Sequence, residues 1–546
     1  MRALPWLLLA ACGASNSDSG YPGGGGGGGT GASSDAGALQ CQSSNECPTG
    51  TVCNEFGLCE PPSSAGDGGA PPETEYTFSQ PVSSRRYFYV AMTSENELAR
   101  IDGRTLAVSA TPVGHTPAVV ASIPGGDSAI VLDAADSAVT IVRPTGTGDE
   151  IVTLATQPNM NRLDVDPTGH YAVVWFDLDS THFTGIGSFQ DVAVIALTRG
   201  SELSVNLTVG FRPRDVQFDA TGTHAYVVTQ DGVSAVDLAY ATAHGPSIVP
   251  PIAVADPSVP ADDLEVNVTA TGAYAVVRQS GYSGLRVVDL VTNPGQAWAL
   301  PLASEPTDVD LSPDGTRAYA VLRDAQQLAV VDVPADAIDP SGIDLVDLSD
   351  ATLGSLALSA DGTRGILYTN ATLDPRVTLV QLNAPGYPHT TWPLQKGVRA
   401  VGLSPSGASA VVLHAKVPGD PASATDFDDF IAKSYGYSLV DLGSGFAKLE
   451  ITPVDPGNFV FAPDSTKLYI ALASDTTKQL QVVDVKDGIT TTDALGSPPD
   501  SVGILPDANQ AFVSQTHPLG RVSFVDFTTD AMRTVTGFDL NSQVVQ

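Results

Sequence analysis

The sequence predicts an all-β protein, a β-propeller of four-stranded antiparallel blades built from about ten repeat units, and three observations carry that expectation. The 53 glycines and 40 prolines among 546 residues disfavour long helices and suit short strands joined by turns. Beyond residue 75 the chain repeats itself at intervals of about 45 residues. Each unit also holds four strand signals, and four strands in a repeat of that length is the propeller pattern.

One unit shows its elements in order. Val309 and Leu311 alternate with polar residues in a first strand that runs into Pro313-Asp314-Gly315, where glycine accepts a positive φ and the Asp side chain bonds its own backbone. An aromatic and β-branched second strand follows around Tyr319, and Leu328 to Asp332 form the third. A fourth strand, as in residues 203 to 209, leads into Gly or Pro and the next unit. The position four after the turn glycine, or its nearest equivalent, marks the array at Tyr89, Ile130, Val173, Tyr226, Tyr274, Tyr319, Ile366, Val411, Tyr469 and Phe512. Third strands end in a recurring aspartate at Asp237, Asp289, Asp441, Asp484 and Asp526. Recurrence assigns these to turn capping, because a reaction needs one site and not several. No linker interrupts the units near Asp310, so one large ring is expected in preference to two smaller ones.

At repeat level, Ser312-Pro313-Asp314-Gly315-Thr316-Arg317-Ala318-Tyr319 resembles the turn motif of YVTN-type propeller repeats in bacterial surface proteins. The resemblance implies the fold. It implies function only loosely, since such propellers host binding surfaces, sugar lactonases and quinone or copper enzymes alike.

Four segments precede the array. Residues 1 to 12 hold a short positive end, the apolar run 4 to 9 and then Leu9-Ala10-Ala11-Cys12, which resembles a bacterial lipobox. That resemblance implies lipidation at Cys12, and Gly13 after it implies passage to the outer membrane. Residues 13 to 40 are a Gly/Ser-rich tether that spans about 30 Å as a coil. Residues 41 to 60 carry Cys41, Cys47, Cys53 and Cys59, with five residues between successive cysteines. Four thiols in an exported chain read as two disulfides of open connectivity, with a zinc site as the competing reading. The spacing resembles short Dickkopf-type cysteine-rich stalk modules. A Pro/Gly-rich linker, residues 61 to 74, leads to the propeller at 75 to 546. No stretch of about 20 apolar residues offers a membrane span, so the lipid is the expected anchor.

Charge excludes one class of partner. With 26 basic against 61 acidic residues the net charge is −35, and no basic patch is present, so nucleic acid is not an expected ligand.

Function is sought where the units differ. Two long insertions lie between second and third strands, at residues 177 to 190 and 416 to 436, and such loops share a face with the blade-linking loops. Their candidate rim contacts are His182, Phe183, Phe189, Phe427, Phe430, Tyr435 and Tyr437, for a protein or glycan partner; the alternative is that these side chains fold back over the loop's own base. The second departure is a polar sector on adjacent first strands, comprising Arg162, Asp164, Asp166, Asp215, Asp219, Glu265, Asp308 and Asp310, with Gln217 and Asn267 among them. Carboxylates near an axial channel suit Ca²⁺ or a cationic ligand, and equally suit a water-filled channel. The eight histidines are scattered without a His-x-x-x-His pair, and no Gly-x-Ser-x-Gly or haem motif occurs. No catalytic residue, confident metal site or cofactor is therefore assigned. The expected function is a lipid-anchored surface binding scaffold, with a lactonase-like hydrolase or Ca-dependent enzyme at the channel mouth, near Arg162, Arg214 and Arg399, as the alternative.

Overall fold

Strands buried on both faces lie at the heart of the blades. In the second strand of the sixth unit, Arg317–Leu322, the run from Ala318 to Leu322 is buried because sheets pack on both faces. The computed structural model describes residues 82 to 539 apart from 147, 181, 183, 184, 260 to 263, 473 and 475, together with 72 to 74, 76 and two short strands, Val52–Cys53 and Cys59–Glu60. Those two strands pair antiparallel with Cys53 opposite Cys59. Cys12, Cys41 and Cys47 lie outside the described residues.

The array forms ten blades of consecutive, antiparallel strands. Blade 1 contains Tyr87–Met92, Glu97–Asp102 and Val108–Pro112, with a bridge from Ser83 to Phe88 standing in for its first strand. The first strands of blades 2 to 6 are Pro117–Ile123, Arg162–Val165, Pro213–Phe218, Leu264–Val268 and Asp308–Leu311. Those of blades 7 to 10 are Ser355–Leu358, Val398–Leu403, Pro456–Phe461 and Pro499–Leu505. Blade 4 departs at its outer edge: after the helix Leu238–His244 the chain pairs through Ser247–Ile248 with the outer strand of blade 3, and only the Val233–Ile252 bridge completes blade 4.

Ten separate apolar cores, one per blade interface, hold these sheets face to face. The tenth joins the ends of the array: Phe88, Ile101 and Val108 of blade 1 pack on Phe512, Phe524 and Leu505 of blade 10. The units therefore close into a single ring, as expected from the uninterrupted repeats. Among the described residues closure uses side-chain packing and no shared strand, since the strands of blades 1 and 10 are each consecutive in sequence.

The turn motif works between blades as well as within them. Gly272, at φ +71°, sits where a Cβ would fall 1.9 Å from the Tyr226 hydroxyl of the preceding blade. Only glycine meets both demands, the left-handed backbone and the close approach. The recurring aspartates cap, as their repetition predicted. Asp237 accepts from Tyr240 N at the start of the helix Leu238–His244, Asp289 from Val291 N and Thr292 N, and Asp526 from Thr528 N and Thr529 N. At Asp441, the Ser444 hydroxyl and the amides of Ser444 and Gly443 hold the carboxyl below its ordinary range.

Candidate functional site: the channel and the insertion face

The first strand of each blade is a sheet edge, so half its backbone N–H and C=O groups point away from its own sheet and need partners. The first strands of blades 2 and 3, 6 and 7, 7 and 8, and 9 and 10 pack side by side, and side-chain bonds link those of blades 4 and 5 and of blades 5 and 6, which places these strands around the axis. The polar sector supplies the missing bonds from blade to blade. Gln217 donates through Nε2 to the Val266 carbonyl and accepts from the Val268 amide, both at 2.8 Å. Asn267 in turn donates to the Val309 carbonyl at 3.0 Å, and Asp308 accepts from Leu356 N at 2.7 Å. The amides also hold their strand neighbours, Gln217 bonding Asp215 and Asn267 bonding Glu265, which pairs further with Arg278 at 2.7 Å.

These contacts sort the acidic candidates. Asp166 and Asp219 do not belong to a lumen ligand set: both are buried and spend their oxygens on their own hairpin turns. Asp166 accepts from Thr168 and Tyr171 N, and Asp219 from Thr221, Thr223 and His224. Arg162 pairs with Asp177 at 3.0 Å. Asp164 touches solvent but is ringed by protein; loss of hydration there, with the charge of Asp215, outweighs Arg162 and pushes its carboxyl up to about 6. Asp308 and Asp310 lie near Tyr368, whose ionisation is pushed up by burial and by the charges of Asp308, Glu73 and Asp310. Among the described residues no group of three or more His, Cys, Asp or Glu side chains is placed to hold a metal ion, so the seven carboxylates are not brought together as one Ca²⁺ ligand set.

The insertions leave blade 3, between Tyr171–Trp175 and Asp191–Ala196, and blade 8, between Ser409–His414 and Tyr435–Asp441. In a ring of ten these blades face each other across the channel. The blade 3 loop is pinned at its base by Asn161, whose side-chain amide exchanges two 2.8 Å bonds with the Asp177 backbone. Phe189 turns inward, edge-on to Phe176 at 5.6 Å and tilted against Phe211 at 5.9 Å, and so covers the base of its own loop. His182 is exposed; partial enclosure and the nearby Arg162 charge lower its pKa. Phe183 lies outside the described residues. Leu178, Ile186 and Phe211 are left exposed, Ile186 at 68%.

The blade 8 insertion folds into the helix Phe427–Lys433, capped by Asp426, which accepts from Asp429 N at 2.8 Å. At the other end the buried Lys396 ammonium donates to the carbonyls of Ile431 and Ala432, satisfying helix C-terminal groups. Burial and the Lys416 charge push its pKa down to about 8. Tyr437 is not a rim residue: it is 1% exposed, because it sits in strand Tyr435–Asp441 facing the core between blades 8 and 9. Tyr435 is half-buried under the Lys416 ammonium, 4.7 Å from its ring centroid. Phe427 and Phe430 remain exposed, at 72% and 39%.

A third component reaches the same face. Glu73, from the linker ahead of blade 1, is bonded to blades 6 and 7. Its carboxylate accepts from Arg323 at 2.9 Å, Thr369 Oγ1 at 2.7 Å, Asn370 N at 2.8 Å and Ala371 N at 3.1 Å. Asn370 then reads the next residue, accepting from Thr74 N at 2.8 Å and donating to its carbonyl at 2.6 Å. Arg399 lies 5.5 Å over the ring of Tyr76 and is itself bonded to Asp455 and Pro456 O. Arg323 and Thr369 to Ala371 follow second strands, and Arg399 opens a first strand, which fixes this docking on the insertion face. Nothing in the spacing of Glu73, Arg323 and Asn370 signals the contact, since Arg323 and Asn370 lie 250 and 297 residues from Glu73 in sequence.

No family model matches the chain, and no curated protein matches it. Among solved structures, the chain is similar to one described as a crystal structure of the eukaryotic initiation factor, at 11% identity and TM-score 0.48, covering 76% of this chain and 97% of that one. It is similar to dihydro-heme d1 dehydrogenase NirN in complex with DHE at 13% identity and TM-score 0.38, covering 86% and 78%. Apo AztD from Citrobacter koseri gives 13% identity and TM-score 0.36, covering 64% and 92%. At these values the fold rests on the blade order of the chain itself.

Proposed function

We propose that the protein is a binding scaffold that presents the insertion face of its propeller to a protein or glycan partner, while a lipid on Cys12 tethers it to the outer membrane. One observation carries this reading: two insertions, on opposite blades, rise from one face and leave Ile186 on one side and Phe427 and Phe430 on the other open to solvent. Exposed large apolar side chains on pinned loops are what a partner buries. Gln217, Asn267 and Asp308 of the polar sector are spent on blade-to-blade bonds and Asp166 and Asp219 on their own turns, which favours a scaffold over a catalytic channel.

The test uses the full chain. Binding to a glycan array and to purified surface proteins is compared for wild type and Phe427→Ala/Phe430→Ala, with a tenfold or greater loss expected in the variant. Equal binding by both discards the rim. Separately, Cys12→Ser is expected to move the protein from the membrane to the soluble fraction, and continued membrane partition discards the lipid.

A further inference from the structure

We infer that the channel mouth over blades 6 and 7 is a recognition site for an extended, glutamate-bearing peptide, and that Glu73, Thr74 and Tyr76 of the linker are its resident ligand, held in cis and replaceable in trans. The site is made entirely by the ring. Arg323, Thr369 and two backbone amides converge on one carboxylate that is 5% exposed. Gly354 makes the approach possible, since a Cβ there would lie 2.2 Å from the Glu73 carboxylate. Asn370 is 8% exposed and oriented by its bond to the Arg399 carbonyl at 3.0 Å, so its amide is aimed before any ligand arrives.

The recognition is that of a peptide: a carboxylate in a cradle, then both backbone groups of the next residue read by one side-chain amide, then an aromatic over an arginine. An empty cradle would leave the Thr369 hydroxyl and the Asn370 amide without the Glu73 carboxylate they bond, while the Ala371 amide would keep only its 3.2 Å bond to Thr369 Oγ1, so a carboxylate is the occupant the cradle favours. The occupant is held almost wholly by polar contacts. Tyr76 stays 42% exposed, and none of the described residues 72 to 74 and 76 joins an apolar core. It is also the end of a Pro/Gly-rich linker, so its advantage over a free peptide is the effective concentration that covalent attachment supplies, about millimolar for a short tether.

The probe is a fluorescein-labelled peptide with the sequence of residues 71 to 77, PPETEYT, read by anisotropy against the full chain. Glu73→Ala empties the cradle and is expected to bind the probe at least tenfold more tightly than wild type. Gln in place of the first Glu of the probe, or Arg323→Met added to Glu73→Ala, is expected to reverse that gain. A folded Glu73→Ala chain, judged by circular dichroism and Tm, that binds the probe no better than wild type overturns the inference and leaves Glu73 a structural clasp. Should Glu73→Ala not fold, hydrogen exchange of wild type decides: excess probe must speed exchange at the Thr74 amide, and unchanged protection overturns the inference. Phe427→Ala/Phe430→Ala leaves this binding intact, so its failure is distinguishable from failure of the rim.

Discussion

Arg85 forks onto Asp507, 422 residues away, through Nε at 3.0 Å and Nη2 at 2.7 Å, and so marks the seam where blade 1 meets blade 10. Both side chains are largely exposed, whereas behind them the Phe88 and Phe512 rings stand 4.9 Å apart in the core. An exposed ion pair contributes roughly 0–1 kcal/mol, and truncating a buried Phe costs about 3–5 kcal/mol. Asp507→Ala is therefore expected to leave Tm within a degree or two of wild type, and Phe512→Ala to lower it sharply and expose the seam to protease. Equal effects from both would show that the ion pair closes the ring as much as the packing does.

The lumen amides make a graded prediction. Gln217→Ala removes two bonds to the edge of blade 5 and leaves the Val268 amide without its acceptor, at a cost of roughly 1–3 kcal/mol. Asn267→Ala removes one bond to blade 6 and should cost less. Hydrogen exchange at Val268 is the readout, with faster exchange expected in Gln217→Ala alone.

A steric prediction follows from Gly272 and Tyr226. Gly272→Ala imposes both a positive φ on a side chain and a clash with the Tyr226 ring, so it is strongly destabilising. Tyr226→Phe removes the hydroxyl nearest the new Cβ and should recover part of the loss. A double-mutant cycle in urea is expected to give a favourable coupling, and strict additivity would refute the contact.

His414 sets an acid limit. It is 1% exposed, bonded through Nε2 to Ser438 Oγ at 2.7 Å and through Nδ1 to the Gly397 carbonyl at 3.1 Å. Burial, with the charges of Lys396 and Arg399, pushes its pKa down to about 4. A depressed histidine binds its proton more readily in the unfolded chain, so its contribution to stability is full above pH 6.5 and is lost as pH falls towards 4. Asp133, whose carboxyl burial pushes up to about 6, acts with the opposite sign in the same window. The comparison that isolates His414 is wild type against His414→Gln: between pH 7 and pH 4.5 the Tm of wild type should fall further than that of the variant. Parallel curves would place the titration elsewhere.

What the sequence by itself determined is local and periodic. Strand alternation, Pro-Asp-Gly turns, capping aspartates and the number of units are set within about 45 residues, by interactions every unit repeats, and all are present in the ring. The two insertions and their common face were legible for the same reason, because a departure from a period is visible against it. What the acidic sector does was decided only by tertiary structure. Asp166 and Asp308 are both acids on one side of a first strand, yet one holds its own turn and the other the amide of Leu356 in the next blade. Tyr437 and Phe427 are likewise both aromatics near one loop, but strand register buries the first while the helix Phe427–Lys433 leaves the second in solvent. The docking of Glu73 on Arg323 and Asn370 was beyond sequence reading altogether. It depends on the ring bringing a linker and two distant loops to one face, and contacts of that kind carry no period.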